Sequence, residues 1–220
     1  MRLGATLALV LISACAGAAL PSAASDAPDG HEFGPWIELF DGHTLGPLEP
    51  TAFGGQGQVR VQGGALILPF GSPLTGVTYS GVFPTSDYEL ECRAARLSGT
   101  DFFCALTFPV HEQHATLVLG GWGGALTGLS CVDGEDASSN GTRRFVHFEA
   151  GRDYLVRVQL GRGRLRCFLD GELIVDLETA AHVFSLRPEV ELNRPLGLAT
   201  YLTTGRIRVL RYRRITSAPG

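Results

Sequence analysis

From Trp36 onward the chain is written in short runs of alternating apolar and polar residues, and each run stops at Gly, Pro or Asp. "WIELF" ends at Asp41-Gly42, "QVRVQ" at Gly63-Gly64 and "ALILPF" at Gly71-Ser72. The series continues through "GVTYSGVFP", "DYELECRAARL", "TDFFCALTFPV", "HATLVLG", "GALTGLSCV", "RRFVHFEA", "DYLVRVQLG", "RLRCFLDG", "ELIVDLET", "LGLATYL" and "GRIRVLRYRRI". A period of two, broken at roughly ten-residue intervals, predicts an all-β chain folded as an antiparallel sandwich or barrel with almost no helix. The clearest local unit is "RLRCFLDGELIVDLE", where Asp170-Gly171 supplies the left-handed residues of a tight hairpin turn.

The 220 residues are 45% hydrophobic, enough for one sizeable core. The net charge is only -4 and the basic residues are scattered, so no footprint for nucleic acid appears. The arginines of "GRIRVLRYRRI" recur at alternate positions, as the solvent face of a strand requires. Residues 1–20 carry one early arginine followed by an apolar run too short to span a bilayer, which reads as an export signal. Within it "ISAC" resembles a bacterial lipobox whose Cys15 would be lipidated; ordinary cleavage near "AGAA" or "PSAA" is the alternative. Export to the periplasm, to a membrane as a lipid-anchored protein, or to the medium is expected on either reading. A linker spans 21–34, the domain 35–215 and a short tail 216–220.

Apart from Cys15, four thiols remain: Cys92, Cys104, Cys131 and Cys167. Cys92, Cys104 and Cys167 share strand faces with Leu, Phe and Tyr, which argues for buried free thiols over bridges. No Cys-x-x-Cys pair or Cys/His spacing suggests zinc.

"WIELFDGHTLGPLEP" (Trp36 to Pro50) resembles the "W..LFDG.tL.gW" opening of the 3-keto-disaccharide hydrolase domain family, also described as 3-keto-glycoside lyases and hydratases. "VQGGALIL", "SDYELECRAA", "RVQLGRGRLRCFLDGELIVD" and "RPLGLATYLTTGRIRVLRYRRI" follow in the family's order. The resemblance implies a two-sheet antiparallel jelly roll of the concanavalin A-like or laminin G-like type, with carbohydrate as ligand. It also implies chemistry on 3-keto-glycosides, by elimination and hydration or net hydrolysis. Two family segments, "NSGi.fR" and "GpIgLQ.HG", are replaced here by "GTDFFCALTF" and "RPLGLATYLTTG", so no family catalytic residue carries over. A non-catalytic carbohydrate-binding or adhesion module of the same fold is the alternative.

The implied chemistry needs a base near neutrality to take the C2 proton, a cation to stabilise the enolate and an aromatic floor for the sugar. "FPVHEQHATLVLGGWGG" offers His111, Glu112 and His114 at a hairpin turn, and "TRRFVHF" adds Arg143 and His147. These are the candidate catalytic residues. Trp122, set between glycine pairs, is the candidate stacking platform, and the polar loop adds Asp133, Glu135, Asp136 and Asn140 as ligand-binding candidates. In "SLRPEVELNRP", Glu189, Glu191 and Asn193 alternate and would line one face of an extended segment.

Each has a plainer reading. "HEQH" is not the HExxH zinc pattern, and its histidines on a turn read as solvated. Trp122 reads equally as a core plug. "DGED" has carboxylates for a divalent metal but lacks the EF-hand order, and an acidic solvated loop accounts for it. No cofactor is otherwise indicated. A G-x-S-x-G elbow, a P-loop and a dinucleotide fingerprint are all missing from the strand-to-helix context each requires. Glucanases of this fold carry an E-x-D-x-E strand, of which "ELECRAA" keeps only Glu89 and Glu91.

Overall fold

The computed structural model describes residues 32–216. The expected export signal with Cys15, most of the expected linker and nearly all of the tail lie outside them. In chain order the strands are β1 (Glu32–Phe33), β2 (Ile37–Glu38), β3 (Leu48–Pro50), β4 (Arg60–Gln62), β5 (Ala65–Leu68), β6 (Leu74–Tyr79), β7 (Tyr88–Gly99) and β8 (Cys104–Val110). They continue as β9 (Gln113–Gly121), β10 (Leu126–Ser130), β11 (Arg144–Phe145), β12 (Tyr154–Gly161), β13 (Arg164–Leu169), β14 (Glu172–Glu178), β15 (Gly197–Tyr201) and β16 (Thr203–Thr216). The first sheet runs β14-β13-β12-β7-β16-β5-β4, with β1 and β2 added along β16; the second runs β11-β10-β9-β8-β15-β6-β3. Every pairing is antiparallel, and the two sheets pack as a jelly-roll sandwich.

Alternation along each strand builds the core. Tyr88, Leu90, Cys92 and Ala94 of β7 face Cys104, Leu106 and Phe108 of β8 and Leu117 and Leu119 of β9 in one buried cluster. The Tyr88 hydroxyl crosses between the sheets to donate to the Pro109 carbonyl at 2.6 Å, which satisfies a polar group that burial would otherwise penalise. Cys92, Cys104 and Cys167 are buried free thiols, and Cys131 is half-buried and free. Contact with the Cys104 thiol and burial push the Cys92 thiol up. The Asp170-Gly171 turn has φ of 49° and 88°, as a two-residue hairpin requires.

Two segments depart from the pattern. "RRFVHFEA" forms a strand only at Arg144–Phe145. "PEVELN" is a 3-10 helix, Pro188–Asn193, rather than an extended run. With three residues per turn, Glu189, Glu191 and Asn193 do not share a face, and Asn193 is buried while Glu189 is exposed.

Candidate functional site

The outer face of the second sheet, turned away from the core, carries no charge over its central rows. One row of paired positions reads Gly76, Ala199, Ala105, Val118 and Gly128 across five strands. The next reads Thr78, Gly197, Thr107, Thr116 and Ser130. Small residues and hydroxyls leave a hollow, which the surrounding loops cover only in part with Phe53, Leu186 and Val190. What remains open is a groove of about 260 Å³. Leu74, Ala105 and Val118 form its floor, with Thr116 and Ser130 beside them.

One wall is aromatic. Trp122, Tyr201 and Phe102 line it, with the Phe102 and Tyr201 rings 5.6 Å apart. Trp122 is 44% exposed. A fully buried indole would have made this stretch only a turn; instead the side chain stands at the mouth of the groove. Its loop is unusually constrained: φ is positive at Gly120, Trp122, Gly123 and Gly124. A non-glycine residue held there costs on the order of 1–3 kcal/mol, so the surroundings must enforce it. Asp101 accepts from the Gly123 N–H at 3.1 Å and from the Phe102 N–H at 2.8 Å, and Arg96 donates to the Gly124 carbonyl at 2.7 Å. Burial holds the Arg96 pKa below its ordinary value, against the opposing pull of Asp101 and Tyr154. A Cβ at Gly120 would sit 2.3 Å from Arg96 Nη2. The glycines thus make room for the guanidinium that clamps the loop, and exposure of the indole follows from that clamp.

The other wall is charged. Arg187, held extended ahead of Pro188, donates to Asp136 at 3.0 Å and to Glu189 at 2.8 Å. Arg187, Glu189 and Val190 line the groove, and Asp136 stands behind Arg187. The Arg187 contact holds the Glu189 carboxyl below the usual range. Hydrogen bonds from Ser138, with Arg187 adding to them, do the same for Asp136.

The other expected residues lie elsewhere. His111 and Glu112 are exposed at the β8–β9 turn, where His111 meets Thr179 at 3.3 Å. They are separated from Trp122 by the length of β9, roughly 25–30 Å at strand rise. Arg143 is exposed, donating to the Ser138 carbonyl at 2.8 Å, and His147 is exposed beyond β11. His114 is half-buried on the outer face of β9, two residues from Thr116. Burial and then Arg194 lower its pKa, and its Nε2 has no hydrogen-bond partner among the described residues.

The acidic loop largely satisfies itself. Asp133 takes the Val183 N–H and lies 2.7 Å from His182 Nδ1, while Glu135 is exposed. Buried Asn140 donates to the Leu129 and Glu135 carbonyls and accepts from the Thr142 N–H and hydroxyl, which uses its full capacity. Glu191 pairs with Arg194, and Asn193 donates to Thr51 and the Val77 carbonyl. Among the described residues no three His, Cys, Asp or Glu side chains gather around one point as metal ligands.

Of the expected residues, then, Trp122 and Glu189 line the groove and Asp136 supports it. Arg187, Asp101, Phe102 and Tyr201 were not anticipated. Tyr201 had a signal: in "GLATY" the positions on its face are Gly197 and Ala199, and small residues beside an aromatic mark a hollow. Arg187 and Asp101 had none, because their roles depend on partners far away in sequence.

No family model matches the sequence, and no curated protein matches it. Solved structures do resemble the fold. A galectin-like protein of unknown function from Bacillus subtilis aligns with a TM-score of 0.61 at 8% identity, over 86% of this chain and all (100%) of its own. Carbohydrate binding module CBM66 from Bacillus subtilis aligns at 0.52 and 13% identity, over 74% of this chain and 93% of its own. A non-specific endo-β-1,3(4)-glucanase of family GH16 aligns at 0.53 and 10% identity, over 86% and 93% respectively. The fold is therefore the two-sheet jelly-roll sandwich of the concanavalin A-like class.

Proposed function

We propose that the chain is an exported carbohydrate-binding module whose ligand lies in the groove between Trp122 and the Arg187–Glu189 pair. The observation that carries this reading is the exposed indole, pinned by Asp101 and Arg96 beside Tyr201 and opposite a charged, hydrogen-bonding wall. A pyranose has apolar C–H faces and a polar rim. The indole stacks on the face, while Glu189 accepts from hydroxyls and Ser130 offers a donor at the rim. The likeness to a binding module and a glucanase supports carbohydrate as the ligand class. Isothermal titration against a panel of soluble glycans tests it: saturable binding lost in Trp122→Ala is expected, and unchanged binding in that variant contradicts the placement.

Binding accounts for the groove better than glycoside hydrolysis does. The floor strands present no carboxylate to it, and Glu189 and Asp136 are held ionised, the wrong state for a general acid at neutral pH.

One observation favours the 3-keto-glycoside reading as a second. His114, whose pKa burial and then Arg194 lower, has an unpartnered Nε2 among the described residues and shares a strand face with Thr116. Incubation with a 3-keto-disaccharide decides between them. Turnover abolished by His114→Gln supports the enzyme; saturable binding without turnover supports the module.

A further inference from the structure

We infer that the groove selects uncharged glycans and rejects acidic ones such as uronates. This rests on the carbohydrate reading above and adds the charge of the ligand.

Few cations are on offer. The chain has no lysine, so a sugar carboxylate would have to be met by arginine or histidine. Recognition of a carboxylate by arginine depends on a free pair of parallel N–H donors. Arg187 is the arginine lining the groove, and its two terminal nitrogens are already directed at Asp136 and Glu189. Arg96, behind the aromatic wall, points at the Gly120 and Gly124 carbonyls of the Trp122 loop.

The anions outnumber these cations. Asp101 and Glu189 line the groove against Arg187 alone, and adding Asp136 and Arg96 behind them leaves the same excess of negative charge. An incoming carboxylate would meet this excess in a site partly closed to water, where charges are screened less than at an open surface. It would also have to pull Arg187 from two partners. A neutral hydroxyl has neither difficulty, because Glu189 retains acceptor capacity and a vicinal diol needs only acceptors and modest donors.

Affinity electrophoresis and titration of the mature chain with laminarin and other neutral oligosaccharides, against polygalacturonate and alginate, test this. The expected result is binding to at least one neutral glycan, at least tenfold tighter than to either polyuronate and nearly independent of salt between 20 and roughly 300 mM. Asp136→Asn and Glu189→Gln, which each remove a negative charge and loosen Arg187, should narrow that ratio. Polyuronate binding equal to or tighter than neutral binding, weakened by salt and by Arg187→Gln, overturns the inference while leaving the carbohydrate reading intact. Binding to no glycan of either kind overturns that reading and the inference with it.

Discussion

The two outer faces of the sandwich are both built from antiparallel strands, yet their side chains have opposite characters. On the first sheet, β7 and β16 present Glu89, Glu91, Arg211 and Arg213, cross-paired by ion pairs of 2.6–2.7 Å. Gln159 of β12 also donates to Glu89, and Trp36 lies over Arg211 and Arg213 with guanidinium-to-ring distances of 4.4 Å. These carboxylates and guanidinium groups answer one another, and the aromatic already lies against two of them. On the second sheet the strands supply almost no charge, and the polar groups come from loops that stop short of filling the hollow. Trp36 is half-buried against two guanidinium groups of the protein itself, whereas Trp122 is exposed. The proposed binding surface is distinguished by incomplete self-satisfaction rather than by an abundance of functional groups.

The first face should break hardest. Arg213→Ala leaves Glu89, whose side chain has no exposure, without its main counter-charge. Uncompensated buried charges cost about 3–5 kcal/mol, so thermal unfolding should shift down by roughly 10 °C with glycan affinity unchanged. On the second face Trp122→Ala should do the reverse: stability within about 1 kcal/mol of the parent, and affinity reduced by about 2 kcal/mol, roughly thirtyfold, by titration. Gly120→Ala should fall between these patterns. Its Cβ would displace the Arg96 clamp, lowering stability by about 1–3 kcal/mol and weakening binding through a misplaced indole.

The smallest effect is on pH. Glu189 and Asp136 have folded pKa values below their ordinary ones. The stability they contribute is therefore present above the unfolded values and lost as pH falls through the folded ones. Glycan affinity should accordingly hold from pH 7 to below Glu189's ordinary 4.5 before it drops. A midpoint above that value would mean that Arg187 does not hold the carboxylate.

How much of this was legible depends on whether a signal was local. Strand alternation is local, so the strands around Tyr88, Cys104, Leu117 and Leu165 and the Asp170-Gly171 turn could be read directly. Trp122 stood out between its glycines, although the reason for them, passage of Arg96 from β7, could not be read. In the 133–144 loop composition does not reveal satisfaction: Asn140 and Asp133 look available in sequence, yet each is engaged by backbone groups, while Asp136 reaches Arg187. His111 and Glu112 lie away from the groove for a topological reason, since their hairpin tip is at the far end of β9 from Trp122. Asp101, Arg187 and Tyr201 line one groove only because the β7–β8 loop, β15 and the 183–190 segment converge on one sheet face, which no spacing in a single sequence encodes.

The chain's two tryptophans, Trp36 and Trp122, lie on opposite faces, which gives the central claim a direct test. In a 15N-labelled sample the two indole N–H signals, assigned with Trp36→Phe and Trp122→Phe variants, are followed as the neutral oligosaccharide that binds in the titration panel is added. The account predicts that the Trp122 signal moves and saturates with the affinity measured by calorimetry while Trp36 stays still. A shift confined to Trp36, or binding that moves neither, would contradict it.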